Sequence, residues 1–168
     1  MKLVIASLVV FSIVILFLFA LFPSDIAVSR VIQINRAPAD VTRKIDDLRQ
    51  WKSWNEFVIH PSPREINNTT NEHGADSTFI DIGGVHIQLI EVHADTVVTI
   101  WRHGEDSFSS IFQIIETNGR TILAWDLKFH IKWYPWDKLA SMFYDKNMGP
   151  LMEKSLLNLK NELESSTH

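Results

Sequence analysis

Hydrophobic and polar positions follow three rhythms along this chain. Residues 3–22 form a run of twenty without a charged side chain and without a polar face. Twenty helical residues reach about 30 Å, the thickness of a bilayer's hydrocarbon core, so the run is read as a transmembrane anchor. A cleaved signal peptide would carry a shorter apolar run, about 7–15 residues, ending in a small-x-small site. The exit here is Ala20-Leu21-Phe22-Pro23 instead. A period of two follows. Val28, Arg30, Ile32 and Ile34 alternate with Ser29, Val31, Gln33 and Asn35, which predicts a strand over 27–35. Ala37-Pro38-Ala39-Asp40 then opens a helix with proline in its first turn, and Val41, Ile45 and Leu48 share one side. Asp47 to Asn55 read as a second short helical piece, with Trp51 and Trp54 on one face.

Residues 56–75 are polar and read as a loop with one strand near Arg64–Thr70. From Asp76 the period of two returns. Strands are predicted at 76–82, 85–93, 96–103, 107–117 and 121–133. They are parted by Gly83-Gly84, Ala94-Asp95, Gly104-Glu105-Asp106 and Asn118-Gly119. Asn-Gly between alternating runs is a strong hairpin signal, so these strands form an antiparallel meander. The last rhythm is helical. Leu139, Met142, Phe143, Met152, Leu156, Leu159 and Leu163 recur at spacings of three and four and line one helix face. Gly149-Pro150 lies within that run, where proline removes a backbone hydrogen bond, so a kink or restart is expected there. The class is α+β, with an antiparallel sheet lying on a long C-terminal helix.

Composition narrows this picture. The 168 residues carry a formal charge of −4. Two domains are expected: the anchor at 1–23 and a single globular domain at 24–168. That domain holds 15 basic and 20 acidic residues, a balance of −5. A mildly acidic domain lacks the basic face that nucleic acids need, so no nucleic-acid partner is expected. There is no cysteine, hence no disulfide framework, thiolate nucleophile or cysteine zinc site. Lys2 leaves only a two-residue tail before the apolar run, which favours N-terminus inside and the domain on the extracytoplasmic side. Six Trp and ten Phe point to a large core or an aromatic-lined cavity.

Four stretches, taken together, resemble the START-like helix-grip (SRPBCC) superfamily of polyketide cyclase/dehydrase-like and lipid-transport proteins. The similarity is greatest to its bacterial members with one N-terminal transmembrane helix. The first stretch is Arg30-Val31-Ile32-Gln33-Ile34 followed by Ala37-Pro38-Ala39-Asp40-Val41. The second is Asp47 with Trp51-x-x-Trp54, and the third is Trp125-Asp126-Leu127. The fourth runs from Met142-Phe143 through Gly149-Pro150 and Glu153-Lys154 to Leu159-Lys160. The resemblance implies a helix-grip fold, a seven-stranded curved antiparallel sheet around the C-terminal helix, with an apolar cavity between. It also implies a hydrophobic or amphipathic small-molecule ligand, such as a lipid. The alternatives are a cyclase/dehydratase-like enzyme acting on a cavity-bound substrate, or a protein-interaction domain with a filled core. No cofactor is implied, and the protein partner stays open.

The chain has no Gly-x-Ser-x-Gly, His-Glu-x-x-His, phosphate loop or dinucleotide fingerprint, and no catalytic residue is assigned. If every hairpin closes with its shortest turn, one sheet face carries Asp81, His86, Gln88, Trp101, His103, Phe108, Phe112, Trp125 and Phe129. That face is expected to line the cavity. Trp101, His103, Phe108, Phe112, Trp125 and Phe129 then meet Met142, Phe143, Met152 and Leu156 from the helix as the ligand-contacting set. Asp81, His86 and Gln88 form its polar end. An Asp81–His86–His103 row could hold a metal or work as an acid–base pair, but a wet, hydrogen-bonded sheet end is the simpler reading. Trp51 and Trp54 are expected to plug the short helices onto the sheet. Trp133, Tyr134 and Trp136 suit an interfacial aromatic belt.

Overall fold

The alternating stretches become strands and the turn residues close them. A computed structural model describes residues 2–20, 23–60 and 78–165. Helix α1 (Lys2–Ala20) is followed by β1 (Asp25–Ile34) and α2 (Pro38–Asp46). A 3₁₀ turn at Leu48–Gln50 leads into two short helices, α3 (Trp51–Trp54) and α4 (Glu56–Ile59). Then come β2 (Phe79–Ile82), β3 (Val85–Val92), β4 (Thr96–His103), β5 (Asp106–Thr117) and β6 (Arg120–His130). Helices α5 (Pro135–Ser141) and α6 (Tyr144–Ser165) complete the chain.

The sheet is antiparallel, in the order β1-β6-β5-β4-β3-β2, so the first strand closes beside the last. It has six strands among the described residues, not the seven expected. The strand anticipated near Arg64–Thr70 lies outside the described residues. Asn118-Gly119 turns β5 into β6 with both residues at positive φ, 52° and 74°. That is the conformation a two-residue hairpin needs and the reason for its asparagine and glycine. The pairing follows, with Thr117 opposite Arg120 and Phe108 opposite Phe129.

The long amphipathic run is two helices, not one. Met142 and Phe143 make tight bonds three residues back, to the carbonyls of Leu139 and Ala140, and helix α6 starts just after. The break therefore falls at Met142–Phe143, whereas α6 runs on through Gly149–Pro150. Gly149 has a different purpose. A Cβ there would stand 1.9 Å from Nη2 of Arg30. Arg30 projects from the core-facing side of β1, the strand on which α6 chiefly packs. Its Nε donates to Glu153 at 2.7 Å and its Nη1 to Asp145 at 2.8 Å. Glycine thus opens a groove through which one arginine clamps the helix to the sheet edge.

In α1 the described side chains run from Val4 to Phe17, about 20 Å of helix. No helix among the described residues is long and apolar enough to cross a membrane. The expected anchor is thus not established by the fold.

Candidate functional site

The middle of the domain is packed solid. Trp51 and Trp54 from α3 and Phe57 from α4 wedge between the sheet and α6. Trp51 meets Trp101 at 6.0 Å and the edge of Phe112 at 5.7 Å between ring centres. Trp54 lies 6.3 Å from Trp125, which stacks on Phe112 at 4.9 Å. Phe57 stands edge-on to both Trp101 and Trp125. Tilted and edge-to-face pairs of this kind each add about 0.5–1.5 kcal/mol beyond area burial. Three of the indole N–H groups find partners: Trp51 donates to the Ile45 carbonyl, Trp101 to Thr99 Oγ1 and Trp125 to Ser110 Oγ. Thr99 and Ser110 are cross-strand neighbours and fully buried, which explains two hydroxyls in an apolar core.

The cavity expected between sheet and helix is therefore occupied at its centre by the chain's own tryptophans. Trp101, Phe112, Trp125, Met152 and Leu156 are buried core residues. Met142 and Phe143 fall in the turn between the last two helices and are exposed, so they form no wall.

Beside the sheet's inner aromatic face, open space is found at one end. A half-open cleft of about 490 Å³ sits where the starts of β5 and α6 meet the end of β6. Phe108, Phe129, Ile131, Tyr144 and Met148 form its apolar lining, and Asp106, Lys132 and Asp137 its polar rim. Phe129 lies 4.7 Å from Phe108 and 4.8 Å from Tyr144, and Phe108 continues to Trp101 at 5.4 Å. An aromatic file thus leads from the cleft to the sealed core. On the rim, Lys132 Nζ donates to Asp106 Oδ1 at 3.0 Å, and that bond holds the ammonium above its ordinary pKa. Burial, aided by Asp106 and Asp137, pushes the Tyr144 phenol up, so it stays a neutral hydrogen-bond donor near neutral pH. An apolar floor with a charged rim suits a ligand with a greasy body and a polar end.

Of the expected ligand-contacting residues, Phe108 and Phe129 line this cleft. Ile131, Lys132, Asp137, Tyr144 and Met148 were missed, because their convergence depends on where the helix breaks. The Asp81–His86–His103 row comes apart for one reason. Asp81 pairs with His86 as expected, and the β3–β4 turn closes where expected. A bulge at Ile90 then shifts the ladder, so that His86 faces Arg102 and His103 faces Val85. Ile87 opposite Trp101 looks inward, and Asp81, His86 and Gln88 look outward, with Arg102 donating to Gln88 at 3.0 Å. His103 keeps the inner face but is exposed at the sheet's end, its Nδ1 3.3 Å from the Gly84 carbonyl oxygen. Among the described residues no cluster of three or more His, Cys, Asp or Glu could hold a metal.

Comparison with known proteins bears on this arrangement. The model of the family described as "Polyketide cyclase / dehydrase and lipid transport" matches residues 25–164. No curated protein matches the chain. Among solved structures, a START superfamily protein from Mycobacterium smegmatis is 18% identical, with TM-score 0.53 over 84% of this chain and 99% of that one. A protein from Thermobifida fusca is 13% identical, with TM-score 0.59 over 84% and 95%. The Aha1 dimer from Colwellia psychrerythraea is 15% identical, with TM-score 0.53 over 85% and 99%. At these identities the likeness is one of fold.

Proposed function

We propose, from the premise that this chain belongs to the polyketide cyclase/dehydrase and lipid transport family, that it binds an amphipathic small molecule, such as a lipid, in the end cleft. The observation that carries this reading is the pairing of an aromatic floor with a charged rim in a space of about 490 Å³. The volume lies within the usual range of small-molecule sites, about 300–1,000 Å³. Phe108, Phe129 and Met148 take the apolar body, while the Tyr144 hydroxyl and the rim around the Lys132–Asp106 pair receive a polar, uncharged end. The binding place differs from the one anticipated, since the centre is filled.

The same reading makes the protein membrane-anchored. A 19-residue helix whose only charged residue is Lys2 precedes the residues that the family model matches, 25–164. That composition supports a span through residues 3–22, with the domain on the extracytoplasmic side.

Native mass spectrometry of the full chain, gently extracted, tests the binding. A co-purifying amphipathic molecule is the expected result. Met148→Trp, which fills the cleft, should weaken capture of a neutral fluorescent lipid probe about tenfold, a loss of ~1.4 kcal/mol. An empty protein that takes up no probe would favour the filled-core interaction domain instead.

A further inference from the structure

The six tryptophans fall into two sets. Four are sealed in the core; Trp133 and Trp136 are 67% and 65% exposed. They do not stand singly. Tyr134 stacks on Trp136 at 5.1 Å and contacts Trp133 at 5.0 Å. Leu139, Met142 and Phe143 continue the exposed apolar surface through α5 into the following turn. A contiguous patch of large apolar side chains on a small domain signals a partner. Tryptophan and tyrosine together are the residues enriched where hydrocarbon meets headgroups.

The strand pairing says which partner. Asp25, at the start of β1, pairs with His130 at the end of β6. The Ile131 amide donates to the Ser24 carbonyl at 2.6 Å, so the exit of α1 and the entry to the aromatic segment are tied together. Helix α1 itself touches α5. Any bilayer that holds α1 therefore lies against Trp133–Phe143. We infer that this segment sits in the interfacial layer of the bilayer that carries α1, so that the cleft, framed by Lys132 and Tyr144 on either side of the segment and by Asp137 within it, borders that layer. The inference rests on the anchor reading above. Charges across residues 130–146 nearly cancel, Lys132, Lys138 and Lys146 against Asp137 and Asp145, so contact needs no anionic lipid.

The absence of cysteine permits unique labelling. Three single-cysteine variants of the full chain, Ile13→Cys, Leu139→Cys and Asn118→Cys, would carry a spin label in phosphatidylcholine vesicles. Asn118 is the control, at the opposite end of β6, about 35 Å away. Labels at 13 and 139 should collide with oxygen and be shielded from a water-soluble nickel complex; the label at 118 should behave oppositely. Adding Trp133→Ser and Trp136→Ser should expose the label at 139 to nickel and leave that at 13 shielded. If 139 is as nickel-accessible as 118 while 13 is shielded, the anchor stands and the interfacial face is overturned. If 139 is shielded from both colliders, a protein surface such as a second copy covers it, and the inference fails likewise. A nickel-accessible label at 13 removes the anchor and this inference together.

Discussion

The centre and the open end of this domain are made of the same material and behave differently. Both are aromatic. At the centre, rings come from the sheet and from α3–α4, which drop in between sheet and helix. At the end, rings come from β5, β6 and the start of α6, and no helix drops in. This sheet thus leaves room at the end that α3 and α4 do not reach. The difference between core and cleft lies in which elements arrive, not in residue type.

That contrast can be broken from the inside. Trp125→Ala removes the ring on which Phe112 and Trp54 lean, and should cost about 3–5 kcal/mol, read by denaturant unfolding. An equal loss from trimming Met148 would erase the distinction between the two regions.

The clamp over the helix comes next. Gly149→Ala should cost about 1–3 kcal/mol, because Arg30 must leave its groove. In an Arg30→Ala background the same change should be neutral or stabilising by up to about 1 kcal/mol, since alanine is the better helix former. An unchanged penalty in the double variant would mean that Arg30 is not what the glycine accommodates.

Acid should loosen the centre through Asp47. Its carboxylate accepts from the Arg49 amide and guanidinium, capping the turn that delivers Trp51. The Arg49 hydrogen bonds outweigh burial and lower its pKa from 3.8 to about 2. A folded-state pKa below the unfolded one stabilises above the ordinary value and is lost as pH falls. Stability on the order of 1–2 kcal/mol should therefore disappear between about pH 4 and pH 2. Tryptophan fluorescence during acid titration would follow it. Asp47→Asn should flatten that limb; the same slope in the variant would assign it to another carboxylate.

The smallest effect on stability belongs to the cleft. Met148→Trp should change the unfolding free energy by no more than about 0.5 kcal/mol, as a partly exposed site usually does. Its effect should appear in probe capture alone.

Most of the sheet was legible because its signals are local. Asn118-Gly119 and Gly83-Gly84 specify their hairpins without reference to anything distant, and the period of two assigns faces. The plug formed by Trp51 and Trp54 was legible from their helical spacing. What escaped was set by tertiary contacts. The bulge at Ile90 did leave a local mark: apolar positions 85, 87 and 89 give way to 90 and 92, so the alternation slips by one at Leu89-Ile90, but only the pairing with β4 shows that the slip is an extra residue. The helix break was placed at Pro150 because proline is the strongest local breaker. The actual turn at Met142–Phe143 carries no glycine or proline. Gly149 looked like a hinge and is a passage for an arginine more than a hundred residues away in the chain. The cleft inherits the misplaced break alone, since its lining converges only through that turn.

The bulge at Ile90 has a consequence for how such a domain could change. Strand identity beyond it is set by a single inserted residue. Loss of one codon there would restore the unshifted ladder and rotate β2 and the first half of β3 by one position. Asp81, His86 and Gln88 would be delivered to the inner face together, and Ile80 and Ile87 sent to water. A carboxylate–imidazole pair, already assembled and kept outside, is thus one deletion away from the interior. In a family described by both cyclase/dehydrase and lipid transport, that is a short mutational route between a binding face and a reactive one.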